Sequence, residues 1–400
     1  MKHASVQMAE AMSDRLIEWR RYIHQHPEIS FQEKYTGEYI ASVLAEIPGL
    51  SIENGVAGYG VVGRFSNGEG PTIALRADID ALPIEEENIC EYASRHKGVM
   101  HACGHDAHTA ILLGAVHIIA DQLRALDWRG TVLFLFQPAE EAIDESGRSG
   151  AVYMIEEGAL EKVDAVLALH MCPWLSVGEM QVHDGASMAS VDVFSGTIEG
   201  TGGHGAYPHF GTDPIWMMSR VLDTLYSLVN RRISALDPAV ISVGKIEAGH
   251  ASNIIPTKVL IEGTIRAYHE ETREQLHDHV KASFHLADQL GGKGDCTVTR
   301  GEPALYNDAA INQALKETVT TLYPDIIIHD APFGMGGEDF SYMTKKAPGA
   351  MFFLGCGFSD GMNRDLHTPI FDVNEDCLQM GAAIMAESAI RYVTCKEPVE

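Results

Sequence analysis

The chain is 400 residues long, 46% hydrophobic and 21% charged, with a formal net charge of −27. That length exceeds what one compact core holds and implies roughly two or three domains. The acidic balance excludes the basic face a nucleic-acid binder needs. No run of eighteen or more apolar residues is present to form a transmembrane helix, so no membrane partner is expected.

Residues 1–21 read as an amphipathic helix with charges throughout. They lack the apolar centre of a secretory signal, so a cytoplasmic location is the expectation. Next, Gly58, Gly60 and Gly63 match the spacing GxGxxG. A dinucleotide fingerprint needs a helix directly after the glycines, whereas residues 64–71 are turn-forming, so this stretch reads as a β-hairpin. Four apolar runs then read as buried strands. Thr72–Asp78 is followed by Asp80, and Thr131–Gln137 by Glu140 and Glu141. Val163–Leu169 ends on His170, and Ala350–Leu354 leads into a Gly-rich loop and His367. A strongly apolar helix is predicted over Thr109–Leu123.

Alternating strands and helices imply a mostly parallel α/β sheet, helices on both faces, with ligands collecting at the carboxyl ends of the strands. The pattern changes near Gly185. Strands over 192–200, 241–247 and 259–267, with helices over 213–231 and 271–290, fit an inserted α+β sandwich. After residue 300 the first pattern returns and closes on a helix over 377–394. The expected organisation is a catalytic domain in two parts, 1–185 and 301–400, interrupted by an inserted domain over 186–300.

The densest chemistry lies in Met100–His108, where His101, Cys103, His105 and His108 fall within eight consecutive positions. Imidazole and thiolate are the donors that bind borderline-soft metals, and any pair of the four could serve. A lone histidine is usually a packed or solvated polar residue, and Asp106 could simply cap the helix; four soft donors together outweigh that. Glu140 and Glu141 would be ordinary surface acids elsewhere, but after so apolar a strand they lie where the sheet delivers its ligands. One could bind metal while the other acts as general base. Asp78 and Asp80 could ligate directly or orient a ligand histidine. The seven cysteines (90, 103, 172, 296, 356, 377 and 395) form no CxxC pair and argue for reduced thiols. No P-loop or GxSxG elbow is present.

With these residues assembled, the chain resembles the aminoacylase/carboxypeptidase family of two-metal hydrolases, within it the amidohydrolase branch of hippurate hydrolases, N-acyl-amino-acid deacylases and auxin-conjugate hydrolases. The matching segments span nearly the whole chain: His24–Glu28 with Phe31–Glu33, Arg76–Pro83, Gly98–His108, Phe136–Glu141, Gly202–His209, Ser252–Pro256, Gly263–Arg266, Gly336–Phe340 and Leu366–Thr368. The resemblance implies a di-zinc exopeptidase-like fold whose inserted domain serves as lid and dimer interface. It implies that Cys103 bridges two divalent metals, with Glu141 and His367 completing one and His105 and His170 the other. His101 and His108 are then structural or support a ligand from behind. Zinc is favoured by the soft sulfur, with manganese, nickel or cobalt as alternatives. Glu140 would be the general base and Asp80 an orienting acid. His204 and Asn253 would reach an active site across a homodimer to hold the oxyanion. Arg266 would take the substrate carboxylate, and Gly337 would also contribute to substrate binding. A tetramer is the larger assembly to consider.

The expected reaction is hydrolysis of N-acyl-L-amino acids of acetyl, benzoyl or indoleacetyl type to a carboxylic acid and an amino acid. A dipeptidase or carboxypeptidase of the same family is the alternative. A metal-independent cysteine hydrolase using Cys103 and a non-catalytic metal-binding protein are the readings from other classes. One departure from the family pattern stands out. Residues 142–150 lack the glycine that usually follows the paired acids and run longer, which points to an altered substrate pocket.

Overall fold

A computed structural model of the chain describes residues 2–394. Its larger unit comprises residues 1–185, 306–333 and 342–400, less the undescribed termini, and the smaller comprises 186–305 and 334–341. Cys395 lies outside the described residues; the six described cysteines are all unbridged.

The larger unit is organised by strand Gly130–Gln137, buried along its whole length. Val132, Phe134 and Phe136 join one apolar core, while Leu133 and Leu135, equally buried, alternate to the opposite face. A strand covered on both faces reads as a continuous apolar run. The eight strands lie in the order Ser51–Val56, Gly60–Asn67, Gly130–Gln137, Thr72–Asp78, Ala165–Ser176, Gly349–Gly357, Glu179–Gln181, Ile327–His329. The four central strands, from Gly130–Gln137 to Gly349–Gly357, are mutually parallel. Helices His105–Leu123 and Asp376–Thr394 pack on each other and share the core with these strands.

Three local expectations are corrected. Strands Gly60–Asn67 and Thr72–Asp78 are not a hairpin, because Gly130–Gln137 lies between them; the antiparallel hairpin partner of Gly60–Asn67 is Ser51–Val56. The N-terminal helix is two helices, Ala4–Ala11 and Ser13–Gln25. His170 does not end its strand, which runs from Ala165 to Ser176. Pairing with Thr72–Asp78 stops at Ala168, so His170 passes beyond that neighbour while still paired with Phe353 on the other side.

The smaller unit is a four-stranded antiparallel sheet in the order Ala239–Ala248, Lys258–Ala267, Ser190–Glu199, Lys293–Arg300. Helices Pro214–Arg232 and Glu270–Phe284 bury its apolar side. The first opens on a strong start signal: Asp213 accepts hydrogen bonds from the amides of Ile215 and Trp216, and Pro214 needs no donor there. Strand Lys293–Arg300 was not anticipated. It is an edge strand with few apolar residues, so its alternation is faint. Among the described residues, no helix is long and apolar enough to cross a membrane.

Candidate metal centre

The cysteine–histidine run enters helix His105–Leu123 through Gly104, at φ 92°. A Cβ there would stand 2.9 Å from Met171 Cγ, so both the left-handed turn and the close approach require glycine. Cys103 thereby sits just before the helix and His105 at its first residue, both buried.

The donors fall into two overlapping groups. Ligand atoms of Cys103, His105 and His170 lie within 4.8 Å of one another, and so do those of Cys103, Glu141 and His367. His105, Glu140 and Glu141 form a third such group. Cys103 Sγ is 3.4 Å from His170 Nε2. His105 Nε2 is 4.0 Å from Glu140 Oε2 and 3.9 Å from Glu141 Oε1, which is itself 3.2 Å from His367 Nε2. That last contact is an ion pair without hydrogen-bond alignment, and among the described residues neither Glu141 Oε1 nor His105 Nε2, both buried, has a hydrogen-bond partner.

Each imidazole is turned by its other nitrogen. His105 donates from Nδ1 to the Asp80 carbonyl at 2.9 Å and to Asp80 Oδ1 at 3.1 Å. His170 donates from Nδ1 to the Met171 carbonyl at 2.8 Å and stacks on Phe353. In both rings Nε2 is left facing the cluster, the arrangement that orients metal-binding histidines. His108 differs. Its Nδ1 donates to Asp78 Oδ1 at 2.6 Å and its Nε2 accepts from the Met171 amide at 2.9 Å, so neither nitrogen is available. Asp78 is further occupied by Arg76. His101 is buried, and among the described residues its two ring nitrogens have no hydrogen-bond partner.

The electrostatics match a cation-binding pocket. Burial alone would lower His105, but Asp78, Asp80 and Glu141 lift it to about 10. Burial followed by His108 depresses His170 to about 3, keeping it neutral. Burial, then Glu141 and Glu140, push the Cys103 thiol far up. Excess carboxylate charge thus calls for a positive partner, which a divalent cation supplies while favouring thiolate over thiol. These donors fit a pair of divalent metals.

Behind the helix, Asp106 does not cap; it accepts from the fully buried Arg20 at 2.9 Å and contacts His24 Nδ1 at 2.8 Å. Arg20 also donates to Asp372 at 2.8 Å and Glu375 at 3.1 Å, in the segment following His367. Breaking such a buried ion network typically costs about 3–5 kcal/mol. The amide of His367, itself at φ 60°, donates to the Ala102 carbonyl at 2.8 Å.

His204, Asn253, Arg266 and Gly337 all belong to the smaller unit. His204 and Asn253 are exposed and adjacent: Gly203–His204 pairs with Ile254–Ile255, and Gly205 donates to the Asn253 carbonyl at 2.8 Å. Gly337 lies against Arg266, Val191 and Glu302, where an added Cβ would stand 3.4 Å from Arg266 Nη1 and 2.4 Å from Glu302 Oε2. Residues 142–150 form a turn around Asp144, which accepts from the Ser146 and Arg148 amides.

Sequence reasoning assigned no role to Phe353, which stacks on His170, or to Ser30, whose hydroxyl donates to Asp80 Oδ2 at 2.7 Å. Neither carries a chemical signal of its own. Only pairing with a strand that bears a recognisable donor could have marked Phe353.

Residues 74–391 match the peptidase family M20/M25/M40. The N-acetyl-L-cysteine deacetylase of Bacillus subtilis is 39% identical over 394 residues, spanning 96% of this chain and 90% of its own. The IAA-amino acid hydrolase ILR1-like 2 of Arabidopsis thaliana is 37% identical over 388 residues, 95% of this chain and 85% of its own. Among solved structures, a dinuclear metal-binding peptidase of the M20 family from Bacillus subtilis superposes with a TM-score of 0.82 at 33% identity, covering 96% of this chain and 99% of that one. Donor geometry and likeness over almost the full length lead to one conclusion: the chain belongs to the peptidase family M20/M25/M40 and is a metallo-amidohydrolase.

Proposed function

We propose that the protein hydrolyses the amide bond of N-acyl-L-amino acids, releasing a carboxylic acid and an amino acid. The observation that carries this reading is the pair of three-donor groups sharing Cys103, with the Glu140 carboxylate beside them. Cys103, Glu141 and His367 would hold one divalent metal, and Cys103, His105 and His170 the other. Zinc best suits a shared thiolate. When bound, such ions acidify water and polarise an amide carbonyl.

The chain's own residues supply the rest. Glu140 takes a proton from the attacking water and passes it to the departing nitrogen, so that a C–O bond forms at the carbonyl carbon as the C–N bond breaks. Asp80 holds the His105 ring. His204, with Asn253, donates to the oxyanion across a homodimer formed through the inserted unit. Arg266 binds the substrate carboxylate bidentately, with Gly337 leaving room beside it. Relatives that act on N-acetylcysteine and on indoleacetyl-amino acids support an acyl-amino-acid substrate. A carboxypeptidase-type activity is the second reading, favoured by the name of a 35% identical archaeal relative, thermostable carboxypeptidase 2 of Saccharolobus solfataricus.

The test is metal analysis of the purified protein, followed by assays on acetyl-, benzoyl- and indoleacetyl-amino acids beside unblocked dipeptides. About two metals per subunit and release of free amino acid from the acyl compounds are expected. Activity confined to unblocked peptides would overturn the substrate class. Activity that survives stringent chelation and is abolished by thiol alkylation would transfer the chemistry to Cys103.

A further inference from the structure

The two candidate acids Glu140 and Glu141 follow a backbone turn that is not at rest. Ala139 stands at φ 48°, a left-handed conformation that alanine rarely adopts. Something must hold it there. The Ala139 amide donates to Glu33 Oε1 at 2.7 Å, and the same oxygen accepts the amide of Phe31, another left-handed residue at φ 65°, at 2.9 Å. Glu33 is completely buried, and among the described residues its Oε2 has no hydrogen-bond partner. On the far side of the turn, the Ala139 carbonyl accepts from the Gly150 amide at 2.8 Å, and the Glu141 amide donates to Asp80 Oδ2 at 3.0 Å. Ser30, three residues before Glu33, donates to that same Asp80 oxygen. The segment 30–33 therefore grips the metal edge twice, once at Asp80 and once at Ala139.

We propose that Glu33 is a positioning residue for the Glu140–Glu141 pair: by accepting the Ala139 amide it pins the left-handed turn from which both carboxylates are aimed. The assignment rests on the metallohydrolase reading above, since it gives those two carboxylates their tasks. It also explains why an acid with no cationic partner among the described residues is buried here. An apolar residue of the same size would leave the buried Ala139 amide and the part-buried Phe31 amide unpaired, and a residue with a shorter reach would leave the turn free to relax. Burial, and after it the Asp80 carboxylate, raise the Glu33 carboxyl to about 7, so a neutral group of the same shape is tolerated. Acceptance at Oε1, rather than charge, is the essential property.

Glu33→Gln and Glu33→Leu separate these contributions. Metal-free wild type and both variants are titrated with Zn²⁺ by calorimetry, with folding checked by thermal unfolding, and kcat and KM are then measured on the best acyl-amino acid. Glu33→Gln keeps the acceptor, so two equivalents should bind with affinities close to wild type. Glu33→Leu should keep one equivalent intact and weaken the other, which uses Glu141, by about tenfold or more. In that variant kcat should fall by a similar factor while KM moves little. If Glu33→Leu does not fold, Glu33→Asp, which retracts the acceptor by one methylene, takes its place with the same expectation. Wild-type metal binding by Glu33→Leu, or an equal loss in Glu33→Gln, overturns the assignment. A wild-type protein that binds no second equivalent or cleaves no acyl-amino acid overturns the proposed function instead, and that result is read before any variant is compared.

Discussion

The two units hold the side chains proposed to act in hydrolysis by different means. In the larger one, Cys103, His105 and His170 are buried, and each imidazole is turned by a bond from its second nitrogen. In the smaller one, His204 and Asn253 are exposed and held by backbone pairing in a short two-stranded ribbon. Buried donors have their geometry set when the chain folds, and disturbing them should register first as lost metal. In the proposed mechanism the exposed donors on the ribbon act only on bound substrate, so disturbing them should register in turnover alone.

The strongest way to test this contrast is Glu140→Gln, since Glu140 lies beside the buried donors without being assigned a metal. Turnover should fall about 10²–10⁴-fold, the range of general-base catalysis, with metal content unchanged. Full activity would remove Glu140 as the base. His204→Ala comes next. A lost oxyanion donor costs about 10²–10³-fold in kcat, and here metal stoichiometry and melting temperature should both stay at wild-type values. Loss of metal in that variant would erase the contrast between the units.

Asp80→Asn should act in the opposite sense. It perturbs the orientation of His105 and one anchor of Glu141, so metal affinity should drop about 10–100-fold, measurable by chelator competition. Unaltered affinity would show that the backbone carbonyl of Asp80 suffices to turn the ring. The smallest effect on turnover is expected at His24. Burial would lower its pKa, but Asp106 and Glu86 raise it from 6.5 to about 9. A raised folded-state pKa contributes stability that is fully present below pH 6.5 and is lost as pH rises through about 9. The difference in melting temperature between wild type and His24→Gln should therefore be widest near pH 6 and narrow steadily toward pH 9.5. A gap that does not change across that range would mean that His24 acts by packing alone.

Much of the site was readable because its donors announce themselves chemically. Cys103 and His105 stand in a dense run, and Glu140 and Glu141 follow a strand too apolar to lie at a surface. The choice between His105 and His108 was less accessible to pattern. Three residues apart on one helix, they differ because Asp78 and the Met171 amide occupy both nitrogens of His108. The order of strands was also hidden, since the turn at residues 68–71 looks the same whether or not its flanking strands pair.

By itself, the sequence determined most of the apolar strands and helices and which residue types gather at one end of them. Apolar runs, turn residues and donor chemistry are local properties that need no partner to be recognised. Tertiary structure alone decided which nitrogen of each histidine is spent and which is left, and that Glu33 holds Ala139 from more than a hundred positions away. The physical reason is that a buried hydrogen bond depends on where two backbones meet. Only the packed chain brings the amide of Ala139 within 2.7 Å of a carboxylate.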